Sequence, residues 1–239
     1  LNGLQAQLGQ FDTARVSLGI HPENFCWTLE PGAAFCTPQA VLTYSGEGLN
    51  GMSANFHRIC RGHLGACAVP GRRHPVVLNL WEAMYFDSDE EKILRAIRRC
   101  KSTGIDVVVL DDGWYAHRKG ENGSLGDWYV GPDKFPDGLR RVSAACRESG
   151  VGLGLWIEPE MVNRDSDLYR AHPDWCISLP GIEPLESRCE LVLDYGRPEV
   201  VDGIYRALYA LLSENKIAYV KWDMNRNITD NGSVFLGRR

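Results

Sequence analysis

No uninterrupted apolar run in this sequence approaches the roughly 18 residues that a membrane-spanning helix needs, and no charged-then-apolar leader precedes the first β-patterned stretch. No membrane partner is expected. The eight cysteines, Cys26, Cys36, Cys60, Cys67, Cys100, Cys146, Cys176 and Cys189, include no C-x-x-C pair and no close Cys/His cluster, which argues against zinc. They are expected to be reduced core thiols of a cytoplasmic protein. Dense basic stretches are also missing: Lys and Arg are scattered apart from small groups such as Arg95, Arg98, Arg99 and Lys101, and the net charge is -5. That balance argues against nucleic acid as a partner. There is no internal repeat and no low-complexity tract. Neither a metal nor a cofactor is expected.

What is present is 239 residues with 44% hydrophobic content, enough for one large α/β domain or one and a half smaller ones. Residues 1–48 alternate short apolar or β-branched runs (15–18, 25–29, 40–44) with turn residues such as Glu30-Pro31-Gly32. This pattern reads as the end of an all-β domain, too short to close a sandwich alone, so further sequence is expected ahead of Leu1. Met52, Phe56, Ile59 and Cys60 then recur at helical spacing over 49–64. Pro70-Gly71 and Pro75 punctuate the chain, and a domain boundary is predicted near Arg73, dividing 1–73 from 74–239.

After that boundary the pattern alternates strand and helix. A strand is predicted over 75–81. Ser88, with Glu91 as the reciprocal half of a capping box, opens a helix whose apolar face is Ile93, Leu94, Ile97 and Cys100 and which Gly104 ends. A strand over 105–110, a helix over 139–148 stopped by Gly150, and a strand over 151–157 follow. Residues 160–197 break the rhythm and read as a hairpin-like insertion, with a short helix near 166–171 and a strand at 191–193. Pro198 starts a helix to about residue 212 that should bury Val200, Val201, Ile204, Leu208 and Leu211. The last strand, from Ile217, ends in charge. Doubly apolar strands joined by amphipathic helices mean a parallel sheet covered by helices, either doubly wound or a (β/α)8 barrel.

The C-terminal ends of parallel strands are where such sheets build sites. Here they carry Trp81-Glu82, Asp111-Asp112-Gly113-Trp114, Trp156-Ile157-Glu158-Pro159-Glu160 and Lys221-Trp222-Asp223-Met224-Asn225-Arg226. Carboxylates among indoles suit a sugar: the acids accept hydroxyl hydrogen bonds and the aromatic faces cover the C–H face of the ring. Plainer roles stand beside this one. Asp112-Gly113 can be a turn, a lone strand-end acid can cap the next helix, and one of Glu158 and Glu160 can orient a neighbour. Asp111, Glu158 and Asp223 could instead hold a metal, although the indoles fit that poorly. Trp128 and Trp175 are expected in loop packing, and His57, His63 and His172 in structural or surface roles. Asn122, Asn227 and Asn231 match the short N-glycosylation pattern, a match too common to carry weight.

Together with Ala171-His172-Pro173-Asp174-Trp175, these strand-end motifs resemble the retaining α-galactosidases of glycoside hydrolase family 36, from about Val16 to Thr229. The resemblance implies the C-terminal part of a β-supersandwich domain followed by the N-terminal half of a (β/α)8 TIM barrel. It implies a terminal α-galactoside of an oligosaccharide as substrate and a homotetramer as assembly. It makes Asp223 the catalytic nucleophile, and Asp111, Asp112, Trp156, Arg188, Lys221 and Asn225 the lining of the galactose pocket. Trp81 and Trp222 join the binding candidates by their strand-end position, although alternation along the strand turns Trp222 and Met224 away from Asp223 into packing. Lys221, two residues earlier on the same face, should hold Asp223 ionised.

A retaining hydrolase needs a second, protonated carboxyl about 5–5.5 Å from the nucleophile. The family's acid/base and its Cys-Gly-rich loop come after the part of the pattern that reaches Arg239, so the 239 residues alone are expected to fold poorly and to lack turnover. An α-N-acetylgalactosaminidase, a raffinose- or stachyose-type transglycosylase and a non-catalytic galactose-binding module remain open alternatives.

Overall fold

In the computed structural model, residues 2–22, 25–64, 73–229 and 232–235 are described. Cys67, the Pro70-Gly71 pair and Asn231 lie outside them. One unit runs to His74 and the other begins at Pro75.

In the first unit, β1 (Asn2–Leu8) pairs antiparallel with β2 (Ala14–Ile20), Leu8 opposite Ala14. The runs predicted at 25–29 and 40–44 form no strand; the first instead gathers aromatics, with Trp27 and Phe35 ring centres 4.9 Å apart. α1 (Gly48–Ile59) then runs into a π-helical turn, Cys60–Leu64. Asn55 ties α1 to the preceding segment by donating to Thr43 Oγ1 at 2.9 Å and to the Tyr44 carbonyl at 3.0 Å.

The second unit opens with β3 (Val77–Asn79), shorter than predicted. The side-chain oxygen of Asn79 accepts from the Trp81 amide at 2.7 Å and bends the chain into α2 (Trp81–Met84), so Trp81 starts a short helix where a strand end was expected. α3 (Glu90–Arg99) is capped by Asp89, which accepts from the Lys92 amide at 2.7 Å. This corrects the expectation for Ser88, whose hydroxyl accepts from Lys134 at 3.3 Å. An aspartate bonding the third amide is an equally good N-cap, and one position is enough to shift the start. β4 (Val107–Leu110), α4 (Arg140–Ser149) and β5 (Gly152–Ile157) follow. Gly150 ends α4 at φ +73, a left-handed angle that glycine adopts without steric cost.

The insertion is β6 (Met161–Asn163), α5 (Asp167–Ala171), a 3-10 turn at Pro173–Trp175, and β7 (Glu190–Val192) antiparallel to β6. Trp175 packs in the loop as expected, stacking on His172 at 4.1 Å and lying so close to Gly203 that a Cβ there would clash. α6 (Pro198–Glu214) and β8 (Tyr219–Trp222) complete the unit. α6 buries Val200, Ile204, Leu208 and Leu211, but Val201 is 42% exposed, so the buried arc is narrower than predicted.

β3, β4, β5 and β8 form one parallel sheet in chain order. Each crossover therefore steps the same way around, whereas a doubly wound sheet reverses. The sheet is a half-barrel. Ile93, Leu94 and Ile97 of α3 and Val142 of α4 belong to one core with Val108, Leu110 and Leu155. Each such fully buried aliphatic chain contributes about 1.5–3 kcal/mol of burial free energy. Of the cysteines expected in the core, Cys100, Cys146 and Cys176 are buried, whereas Cys26, Cys36, Cys60 and Cys189 are exposed free thiols.

Candidate active site

The sheet delivers its strand ends to one rim, and β5 and β8 set the centre of it. The Asp223 amide donates to the Ile157 carbonyl at 2.9 Å, extending the ladder by one rung past β8 and holding the carboxylate over Trp156. Asp223 Oδ2 accepts from Trp156 Nε1 at 2.9 Å and from Asn225 Nδ2 at 3.1 Å, and Oδ1 accepts from the Met224 amide at 3.1 Å. Burial pushes this carboxyl up, but the hydrogen bonds from Trp156, Asn225 and Met224, with the charge of Lys221 added, hold it below the usual aspartate range. Lys221, expected to hold Asp223 ionised, does act in that direction. At 3.7 Å from Oδ2 it contributes less than the three donors do.

Lys221 sits closer to Asp111, with Nζ 2.8 Å from Oδ2. The same oxygen accepts from Asn79 Nδ2, and Asp111 Oδ1 accepts from the Asp112 amide at 2.9 Å. Lys221 thus stands between two carboxylates, one at the end of β4 and one at the end of β8, the two strands that flank β5. Trp156 is itself held: Trp114 Nε1 donates to its carbonyl at 2.9 Å, and Tyr115 stacks parallel to its ring at 6.1 Å. Trp128, from the long loop after β4, closes the same aromatic wall. Glu158 is buried beneath Asn225, taking a bond from its backbone amide and another from Nδ2 at 3.1 Å. Burial raises its pKa, against which the two Asn225 donors pull. Glu158 thereby holds Asn225 in place.

The remaining candidates are placed differently. Asp112 turns to Arg118, which grips it at both oxygens, Nε to Oδ1 at 3.0 Å and Nη2 to Oδ2 at 2.8 Å. Tyr115 also donates to Oδ1, at 2.9 Å. In this arrangement Asp112 anchors its own loop. The positive φ of Gly113, +107, lets the chain turn between the two aspartates and Trp114. Trp81 stands edge-on to Tyr85 and Phe86 and lines a small cleft with Asp111 and Asp112. Arg188 lies in the insertion and pairs with Glu121 at 3.3 Å and Glu190 at 3.7 Å, outside the network that joins Asp111, Lys221 and Asp223.

Trp222 does turn away from Asp223, but the packing expected of it is corrected. It is 60% exposed, as is much of Met224, and its indole donates to both Glu160 oxygens at 2.9 and 3.1 Å. Among the described residues no cluster of His, Cys, Asp and Glu is arranged to hold a metal ion, and no helix is long and apolar enough to cross a membrane. Sequence reasoning missed Arg118 and Asn163, and gave no role to Asn79 or to Arg226, which closes the last strand-end motif. Asn79 had a signal, a polar residue inside an apolar strand. Arg118 had none.

The Melibiase family model matches residues 34–238, most of the chain. The chain belongs to the Melibiase family. This Melibiase chain is 48% identical over 232 residues to the α-galactosidase AgaA of Geobacillus stearothermophilus, covering 97% of the chain and 32% of AgaA. It is 42% identical to the α-galactosidase Mel36A of Lactobacillus acidophilus, covering 95% of the chain and 31% of that protein. Among solved structures it is similar to the GH36 α-galactosidase AgaB of Geobacillus stearothermophilus, with a TM-score of 0.91 at 46% identity over 98% of the chain and 32% of AgaB. The Melibiase chain therefore spans about a third of the length of the curated relatives it matches. Its fold class is the N-terminal half of a (β/α)8 barrel preceded by the end of a β-supersandwich domain.

Proposed function

We propose that the protein containing this chain is a glycoside hydrolase that removes terminal α-linked galactose from galacto-oligosaccharides with retention, through a covalent galactosyl bond to Asp223. The observation that carries this is the state of Asp223: three hydrogen-bond donors and a nearby ammonium keep it ionised at a strand end. An ionised carboxylate in that position can attack the anomeric carbon while the glycosidic oxygen leaves with a proton from a second carboxyl group. Water then attacks the same carbon, gives its proton to that second group, and releases Asp223 as carboxylate. The Asp111–Lys221 pair offers an acceptor and a donor side by side, the chemistry that recognises a pair of sugar hydroxyls and discriminates strongly against a sugar lacking one. Trp81 supplies an apolar face, Trp156 a donor to the nucleophile from within the aromatic wall, and Arg188 a further donor.

The names of the relatives support the reading. They are α-galactosidases, and one solved form of AgaA, at TM-score 0.93 to this chain, holds raffinose. A cytoplasmic location and a homotetrameric assembly form part of the same proposal. Trapping the full-length protein with a 2-fluoro-galactosyl reagent tests it. Mass spectrometry should find the label on Asp223, and a label on Asp111 or on another carboxylate refutes the assignment.

A further inference from the structure

Ser187 and Glu190 face each other as an antiparallel pair, each amide bonding the other's carbonyl, at 3.2 and 2.9 Å. The two residues between them, Arg188 and Cys189, both have left-handed backbone, φ +56 and +62. Two successive positive φ angles are those of a primed hairpin turn, which favours Asn-Gly or Gly-Gly. Arg-Cys pays the steric cost that glycine avoids, so the surroundings must hold the turn in place.

What holds it is Arg226, 4% exposed and three residues after Asp223. Its Nη1 donates to the Leu185 carbonyl at 3.0 Å and to the Glu190 carbonyl at 2.5 Å, one on each side of Arg188. Asn163, fully buried, adds a donation from Nδ2 to the Cys189 carbonyl at 2.7 Å. Glu190, 2% exposed, lies 3.7 Å from Arg188 Nε and aims that guanidinium. The adjoining residue, Asn225, is the one that bonds Asp223 and Glu158. The strained turn and the nucleophile's segment are thus joined through a single buried side chain.

We propose that Arg226 is a positioning residue: it clamps the 185–190 turn to the segment bearing Asp223 and so sets where Arg188 presents its guanidinium to the substrate. The inference rests on the reading that Arg188 contacts the sugar. Both clamp bonds leave one nitrogen, Nη1, while Nε donates to the Asn227 carbonyl at 3.0 Å, so a lysine ammonium, without the planar group that ties these donors together, cannot hold the same geometry.

The test is a double-mutant cycle in the full-length protein with p-nitrophenyl α-galactoside as probe. Arg226→Lys should raise KM about 10-fold with kcat changed less than about 3-fold, and should change KM less than about 2-fold when Arg188 is already Ala. Equal effects of Arg226→Lys in both backgrounds would mean a general structural role and would overturn the positioning proposal alone. An Arg188→Ala variant with unchanged KM and kcat would remove the reading on which it rests, and the proposal with it. Should Arg226→Lys fail to fold, Cys189→Val opposes the turn directly, since a β-branched residue resists φ near +60. It should raise KM in the same pattern, and an unchanged KM would overturn the coupling between turn and substrate.

Discussion

Trp156 Nε1 donates to Asp223 Oδ2 at 2.9 Å across a sequence separation of 67 residues, from the end of one barrel strand to the end of its neighbour. The indole has one donor and no acceptor, so it favours the ionised carboxylate over the neutral acid. Trp156→Phe removes that donor while keeping the apolar wall. It should lower kcat/KM about 10- to 100-fold, a loss of about 1.4–2.7 kcal/mol. The acid limb of the pH profile should also move to higher pH, because burial, which raises the Asp223 pKa, loses its strongest opponent. A limb that stays in place would show that Trp156 does not tune the acid.

Lys221 serves Asp111 more closely than Asp223, at 2.8 against 3.7 Å. Lys221→Met leaves Asp111, almost wholly buried, with Asn79 as its remaining side-chain partner. Truncating one member of a buried hydrogen-bonded charge pair costs about 2–5 kcal/mol, and the 36% exposure of the Lys221 side chain puts this pair at the lower end of that range. Calorimetric titration of the full-length protein with galactose should therefore show affinity lowered at least about 30-fold, and retained affinity would separate this pair from the sugar.

Arg118 is 2% exposed and makes five hydrogen bonds: two to Asp112, one to Asn163 and two to the carbonyls of Glu121 and Gly123. Arg118→Met should destabilise by about 3–5 kcal/mol, since it strands a buried carboxylate. Urea unfolding followed by tryptophan fluorescence reads this as a lower midpoint. Asp112→Ala should cost a similar amount, and the double variant much less than the sum. Additivity would mean that the two residues do not act as one unit.

Glu190 gives a pH dependence. Burial pushes its carboxyl up to about 7, with the negative charge of Glu158 adding to the rise and Arg188, Arg118 and Arg226 opposing it. In the unfolded chain the group titrates near its ordinary value of 4.5. A raised folded pKa means stability that is fully present below about 4.5 and is lost as pH rises to about 7. The loss amounts to about 3 kcal/mol from this group. Thermal unfolding of Glu190→Gln should lack this fall between pH 4.5 and 7, and a slope identical to the parent's would rule out Glu190 as its source.

Much of the barrel was legible because it is written in local pattern. The apolar runs over 107–110 and 152–157, the helical spacing of Ile93, Leu94 and Ile97, and the glycine after α4 each report a local element. The exceptions are equally local. Two adjacent residues, Ser88 and Asp89, could cap the same helix, and the geometry of one amide chose the second. In the insertion the short helix near 166–171 and the strand at 191–193 are legible, whereas β6, three residues long, carries too few residues for a period to show.

By itself, the sequence determined which residues reach the rim. In a parallel sheet a strand's end is set by its own apolar run, so Asp111, Trp156, Lys221 and Asp223 could be placed from the chain alone. Tertiary structure alone decided their partners: Lys221 with Asp111 across 110 residues, Asp112 with Arg118 away from the centre, Glu158 under Asn225, and Arg226 across the Arg188 turn. Periodicity records how one strand faces its core. It does not record which side chain of a neighbouring strand or loop lies within hydrogen-bond reach, because that depends on register and on a turn whose residues disfavour the conformation they adopt.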